Sequence, residues 1–160
     1  MAISTKSISG KYLTFLLGDE SYGVEIMKIK EIIGMIPVTT LPKTPSYVKG
    51  IINLRGKVIP VIDLRSKFGL ASKNTTERTC IVVTEIKKSD GIVLLSFIVD
   101  SVSEVINITA DDIESAPSFG PNSVPENISG VAKRDKKIII LLDIEAVLAA
   151  KHSAICRKAA

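Results

Sequence analysis

One segment of the chain is written twice. VKGIINLRGKVIPVIDLRSKFGL, residues 48–70, aligns without a gap on ISGVAKRDKKIIILLDIEAVLAA, residues 128–150, 80 residues downstream. Gly50 matches Gly130, Lys57 matches Lys137, Ile59 matches Ile139 and Asp63 matches Asp143. Apolar positions also correspond: Val48 with Ile128, Ile51 with Val131, Val58 with Ile138, Val61 with Leu141, Ile62 with Leu142, and Leu64 with Ile144. A fainter echo, 73 residues apart, joins Ile29, Glu31, Ile32 and Ile33 to Val102, Glu104, Val105 and Ile106. A longer second connection accounts for the change of spacing, and coincidence among Val and Ile residues is the competing explanation. The repeat predicts two similar lobes, each of short antiparallel strands ending in a hairpin, an Asp N-cap and a short helix.

Local patterns fill in those lobes. Tyr12–Leu17 and Tyr22–Ile26 alternate around Gly18-Asp19-Glu20-Ser21 and predict a hairpin. Ile26–Ile33 fits a short helical turn followed by a strand toward Val38, because Pro37, Pro42 and Pro45 forbid a long helix. Val48–Leu54 and Lys57–Ile62 flank a polar break, Asn53-Leu54-Arg55-Gly56, and predict a second hairpin. Pro60 cannot donate to a ladder, which places its strand at an edge or at a bulge. Asp63 and Gly69 bracket a helical turn as N-cap and stop. Cys80–Ile86 and Ile92–Asp100 form a further hairpin pattern, Ser103–Ile108 a strand, and Thr109–Asn127, with three prolines, an irregular connection. Strands this short and regularly punctuated favour small barrels.

Composition narrows the function classes. The 160 residues are 46% hydrophobic and 24% charged, enough apolar surface for a core without disulfides or metals. Two distant cysteines, no apolar leader at the start and no long apolar run make the cytoplasm the expected compartment. Lys and Arg number 21 against 17 acids, but the bases are scattered, and aromatics are only 4% with no Trp. A basic nucleic-acid face with stacking aromatics is therefore poorly supported, and a small-barrel nucleic-acid binder remains the reading of another class. The sole histidine, His152, lies in a Lys/Ala-rich tail. No nucleophile elbow, glycine-rich phosphate loop or zinc-type Cys/His spacing is present, so neither catalysis nor a metal or cofactor is expected.

The repeat also works as an internal control, since what the fold needs should appear twice. Asp63 and Asp143 pass and are expected as caps; Gly50 and Gly130 pass and are expected at a bulge or close approach. Glu31, echoed by Glu104, has a structural reading. The Asn53-Leu54-Arg55-Gly56 break fails: its counterpart, Lys133-Arg134-Asp135-Lys136, lacks the Asn, the Leu and the Gly. A turn can be made here without that set, which predicts a further use for its side chains, an exposed Leu54 beside Arg55 being a common binding pairing.

The runs YGVEI, YVKG, INLRG, VIPVIDLR and KFGL, in this order between Tyr12 and about Leu148, resemble the CheW family of bacterial chemotaxis coupling proteins. The resemblance implies an all-β fold with short helices: two SH3-like five-stranded barrels side by side, with a groove between them, over residues 12–150, and flexible ends at 1–11 and 151–160. It implies a non-catalytic adaptor that joins chemoreceptor tips to the histidine kinase CheA at the inner face of the membrane, without entering it. A CheW-like adaptor of a non-motility chemosensory pathway is the close alternative. By position, the receptor-binding surface would comprise Ile29, Glu31, Gly50, Leu54, Arg55 and Val58, and the kinase-binding surface Glu114, Pro117 and Phe119. For Glu31 the resemblance and the repeat disagree, one implying a contact and the other a structural role.

Overall fold

The computed structural model describes residues 9–71, 74–114 and 128–148. Eleven strands are present among them: β1 Gly10–Leu17, β2 Glu20–Glu25, β3 Ile29–Gly34, β4 Val48–Leu54, β5 Lys57–Asp63, β6 Cys80–Lys88, β7 Gly91–Val99, β8 Ser101–Ile108, β9 Ile113–Glu114, β10 Ile128–Arg134 and β11 Lys137–Leu142. They form two sheets, one ordered β8-β1-β2-β11-β10-β9 and the other β3-β6-β7-β5-β4. Contacts divide the chain into two compact units. The first holds β1 as far as Phe15, Asp19–Ile26 and the chain from Ser103 onward; the second holds Leu16–Gly18 and Met27–Val102.

The two sheets are copies of one plan. β3, β6, β7, β5 and β4 of one correspond in order to β8, β1, β2, β11 and β10 of the other. The parallel pair recurs, β5 with β7 and β11 with β2. So does the bulge before each repeated hairpin, between Val48 and Gly50 and between Ile128 and Gly130. Even the outermost position recurs: Thr39 bridges Ile51 as Glu114 of β9 pairs with Val131, the repeat partner of Ile51. The all-β class with short helices that the resemblance implied is present, the resemblance giving each unit as a five-stranded barrel. Here β9 makes one sheet six-stranded, and neither ladder closes on itself. In the five-stranded sheet, edge strand β3 meets the β4–β5 hairpin through side chains: Ile33 and Leu54 pack on the same core of Ile52, Ile59, Val61, Ile81 and Val83. The other core gathers Tyr12, Ile108, Ile113, Ala132, Ile139 and Leu141. Fully burying an aliphatic side chain contributes about 1.5–3 kcal/mol, so each cluster is a main stabilising contribution to its own sheet. Tyr12 sits in this second core, and burial, with a smaller contribution from the Glu25 charge, pushes its phenol up to about 12.

Pro60 corrects the expectation of an edge or a bulge, since β5 lies between β7 and β4 and its register is regular there. Pro60 faces Ile51, whose own N–H and C=O are turned outward to Thr39 (2.9 and 2.8 Å). That makes it a non-hydrogen-bonded pair, and the parallel ladder with β7 starts only at Val61. The missing N–H therefore costs the β4 ladder no bond, and on the β7 side the ladder begins one residue later. β3 also stops at Gly34, short of Val38, after a 3₁₀ turn at Ile26–Lys28. The helix Leu64–Lys67 starts where Asp63 Oδ1 accepts from Arg65 N (3.1 Å). It ends in a Schellman pair, Leu70 N to Arg65 O (2.7 Å) and Gly69 N to Ser66 O (3.2 Å), with Gly69 at φ +75°. Asp143 caps the second helical segment through Ala146 N (3.2 Å).

Candidate docking site

The β4–β5 turn is a two-residue hairpin closed by the pair Leu54–Lys57, with Arg55 at φ 52° and Gly56 at φ 87°. Positive φ at both central positions is the type I′ signature, and Asn53 Oδ1 accepts the Gly56 N–H at 2.9 Å. The β10–β11 turn has the same form, with Asp135 at 50° and Lys136 at 66°. Turn geometry thus explains Asn53 and Gly56, and the expectation of a further use narrows to Leu54 and Arg55. Leu54 is also less exposed than expected, being half-buried against the core below the hairpin.

Arg55 has a partner in its own unit. Its Nη2 pairs with Oε1 of Glu31 on β3, the acid's side chain being 26% exposed and the arginine's 67%. The pair reaches from one edge of the open ladder to the hairpin at the other. A guanidinium has five N–H donors, so an arginine held at one nitrogen still offers most of them to solvent in a fixed orientation. The equivalent places in the first unit carry Glu104 and Asp135, two acids that cannot pair. In structural terms Glu31 anchors Arg55.

The six expected receptor-facing residues are not equally placed. Glu31, Leu54 and Arg55 line one small cavity with Lys30, Lys57 and Ile59. Val58, 66% exposed, lies in an adjoining open groove with Pro60, Ile92 and the Lys30–Glu85 ion pair (3.4 Å). Ile29, at the start of β3, lines neither. Gly50 is buried at φ +148°, and a Cβ there would fall 2.1 Å from the Thr39 carbonyl oxygen. The close approach that this glycine permits within the chain is by residues 38–39, as the reading of a bulge or close approach expected.

A family model for the CheW-like domain matches residues 11–152. The chain belongs to the CheW-like family. Chemotaxis protein CheW of Klebsiella aerogenes is 35% identical over 153 residues, covering 96% of this chain and 90% of that protein. Chemotaxis protein CheW of Bacillus subtilis is 30% identical, with 86% of each chain covered. Among solved structures, the scaffolding protein TtCheW from Thermoanaerobacter tengcongensis superposes with a TM-score of 0.76 at 34% identity, covering 88% of each chain.

Of the kinase-facing residues that the CheW-like resemblance implied, Glu114 is exposed on β9 and pairs with Lys133 at 3.7 Å. Pro117 and Phe119 lie outside the described residues. Reading the sequence missed Ile92, 60% exposed beside Val58, and Met27, 88% exposed in the 3₁₀ turn. The repeat carried a signal for such positions, because Val58 and Ile138 are both exposed, as are Ile32 and Val105. Among the described residues no His, Cys, Asp and Glu side chains cluster to hold a metal, every buried side-chain nitrogen or oxygen has a partner, and no helix is long and apolar enough to cross a membrane.

Proposed function

We propose that this chemotaxis adaptor acts by binding alone, joining the cytoplasmic tips of chemoreceptors to the histidine kinase CheA at the inner face of the membrane. The observation that carries the reading is the anchored Arg55. A mostly exposed guanidinium, oriented by Glu31, stands between half-buried Leu54 and exposed Val58, and the other unit has no equivalent. An apolar patch with an oriented arginine suits a helical tip that presents apolar side chains together with unpaired carbonyls or acids. Ile29 continues the surface along β3, and Gly50 supports it from within by letting Thr39 close on β4. Glu114, with Pro117 and Phe119 in the following connection, forms the kinase-facing side.

The test is co-sedimentation of the full chain with a receptor cytoplasmic fragment and the kinase, wild type against Arg55→Glu. Receptor binding is expected to fall at least tenfold, with thermal unfolding changed by no more than about 2 °C, since an exposed tip charge touches little of the core. Undiminished receptor binding by a folded Arg55→Glu protein would remove the tip from the receptor surface.

A further inference from the structure

The repeat control singles out one more residue. Asp63 and Asp143 cap their helices alike, yet Arg65, two residues on, is matched by Glu145. Arg65 is the centre of a network in the second unit. Its Nε and Nη2 donate to the two carboxylate oxygens of Asp100 (2.9 and 2.5 Å), and its Nη1 donates to the Ala71 carbonyl (2.8 Å). Asp100 Oδ2 also accepts the Gly18 N–H (2.7 Å), while Asp100 N donates to the Leu16 carbonyl (3.0 Å). These bonds explain why Leu16–Gly18, the end of β1 and its turn, belongs to the second unit although the rest of β1 does not.

We propose that the Arg65–Asp100 pair is a latch that makes the Leu16–Gly18 turn, the end of the helix through Ala71 and the β7–β8 junction at Asp100 open and close as one element. The physical basis is the partial burial of both charges, whose side chains are 14% and 16% exposed. Removing one partner from a bidentate pair leaves the other charge partly desolvated and without its bidentate partner, which is costlier than the pair's net contribution. No one segment can therefore leave alone: releasing Gly18 strips a donor from Asp100, and releasing Ala71 strips an acceptor from Arg65. Such coupling defines a cooperative unit of local opening.

Native-state amide hydrogen exchange on the full chain tests this by following Gly18 and Asp100, whose N–H groups are bonded within the network, and Leu70, whose N–H donates to the Arg65 main-chain carbonyl. In the wild type the three should exchange at a common opening free energy. In Arg65→Met all three should exchange faster by one shared factor of at least ten, with Val131 and Ile140 in β10–β11 unchanged. The charge-exchanged variant, Arg65→Asp with Asp100→Arg, should recover part of the protection. Should Arg65→Met prove globally unfolded, Asp100→Asn, which keeps an acceptor, replaces it and should give a smaller shared acceleration. Unequal factors at the three amides, or unchanged rates in a folded variant, would overturn the latch.

Discussion

The two type I′ tips share a backbone and differ in what the backbone carries. At 53–57 the turn has an Asn cap, a glycine and an arginine tied to Glu31; at 133–137 it has Asp135 and Lys136 forced into positive φ, and acids at both ends of the would-be ion pair. The β-hairpin is thus a property of the duplicated fold, while the oriented cation belongs to one copy. In a repeated domain, function lies in the identities that diverge once turn and packing requirements are met in both copies.

Two glycines of the second unit differ most in what they hold apart. Gly50→Ala would put a Cβ 2.1 Å from the Thr39 oxygen at φ +148°, whereas Gly56→Ala meets nothing within 4 Å at φ +87°. Urea denaturation should show a loss of about 3 kcal/mol or more for the first and about 1 kcal/mol for the second. Equal losses would mean that the β4 bulge does not depend on the approach of residue 39.

The next effect is confined to the first unit's core. Because the Tyr12 pKa is raised from 10.0 to about 12 in the folded chain, its neutral form contributes stability that is fully present below pH 10 and is lost as pH rises toward 12. Thermal unfolding followed from pH 9 to pH 12 should fall more steeply in the wild type than in Tyr12→Phe. Parallel curves would place the alkaline sensitivity elsewhere.

Smaller effects return to the tips. Lys136→Gly relieves a left-handed residue and should stabilise by about 0.5 kcal/mol in chemical denaturation, sharpening the claim that only the 53–57 tip has residues matched to its turn. Smallest of all, a double-mutant cycle of Glu31→Gln and Arg55→Gln should give a coupling of no more than about 0.5 kcal/mol, because the arginine is largely solvated. A coupling several times larger would recast the pair as a structural closure of the sheet instead of an orienting device.

Much of this architecture was legible in the residues. The repeat located both bulges, both hairpins and both Asp caps, because β-bulges, I′ turns and N-caps are made by local geometry that only a few residue types satisfy. Pro60 was misplaced because whether a missing N–H matters depends on which neighbour that N–H would face, and sequence alone does not say. Leu54 was read as exposed because nothing local reveals that the sheet curls back to cover it. At Gly50 the bulge or close approach was legible but its partner was not, since Thr39, which fills the space, is eleven positions away and carries no mark of its task.

The chain by itself determined that there would be two similar β-rich units, where each hairpin turns and where each helix begins, since these follow from alternation, glycine, proline and capping chemistry between near neighbours. Only the tertiary structure decided that β1 and β2 complete the sheet of the distant C-terminal repeat, that Arg55 is held by Glu31, and that Arg65 gathers Gly18, Ala71 and Asp100. Those choices rest on strand pairing and on charges brought together across tens of residues, where many partners are chemically acceptable and packing selects one.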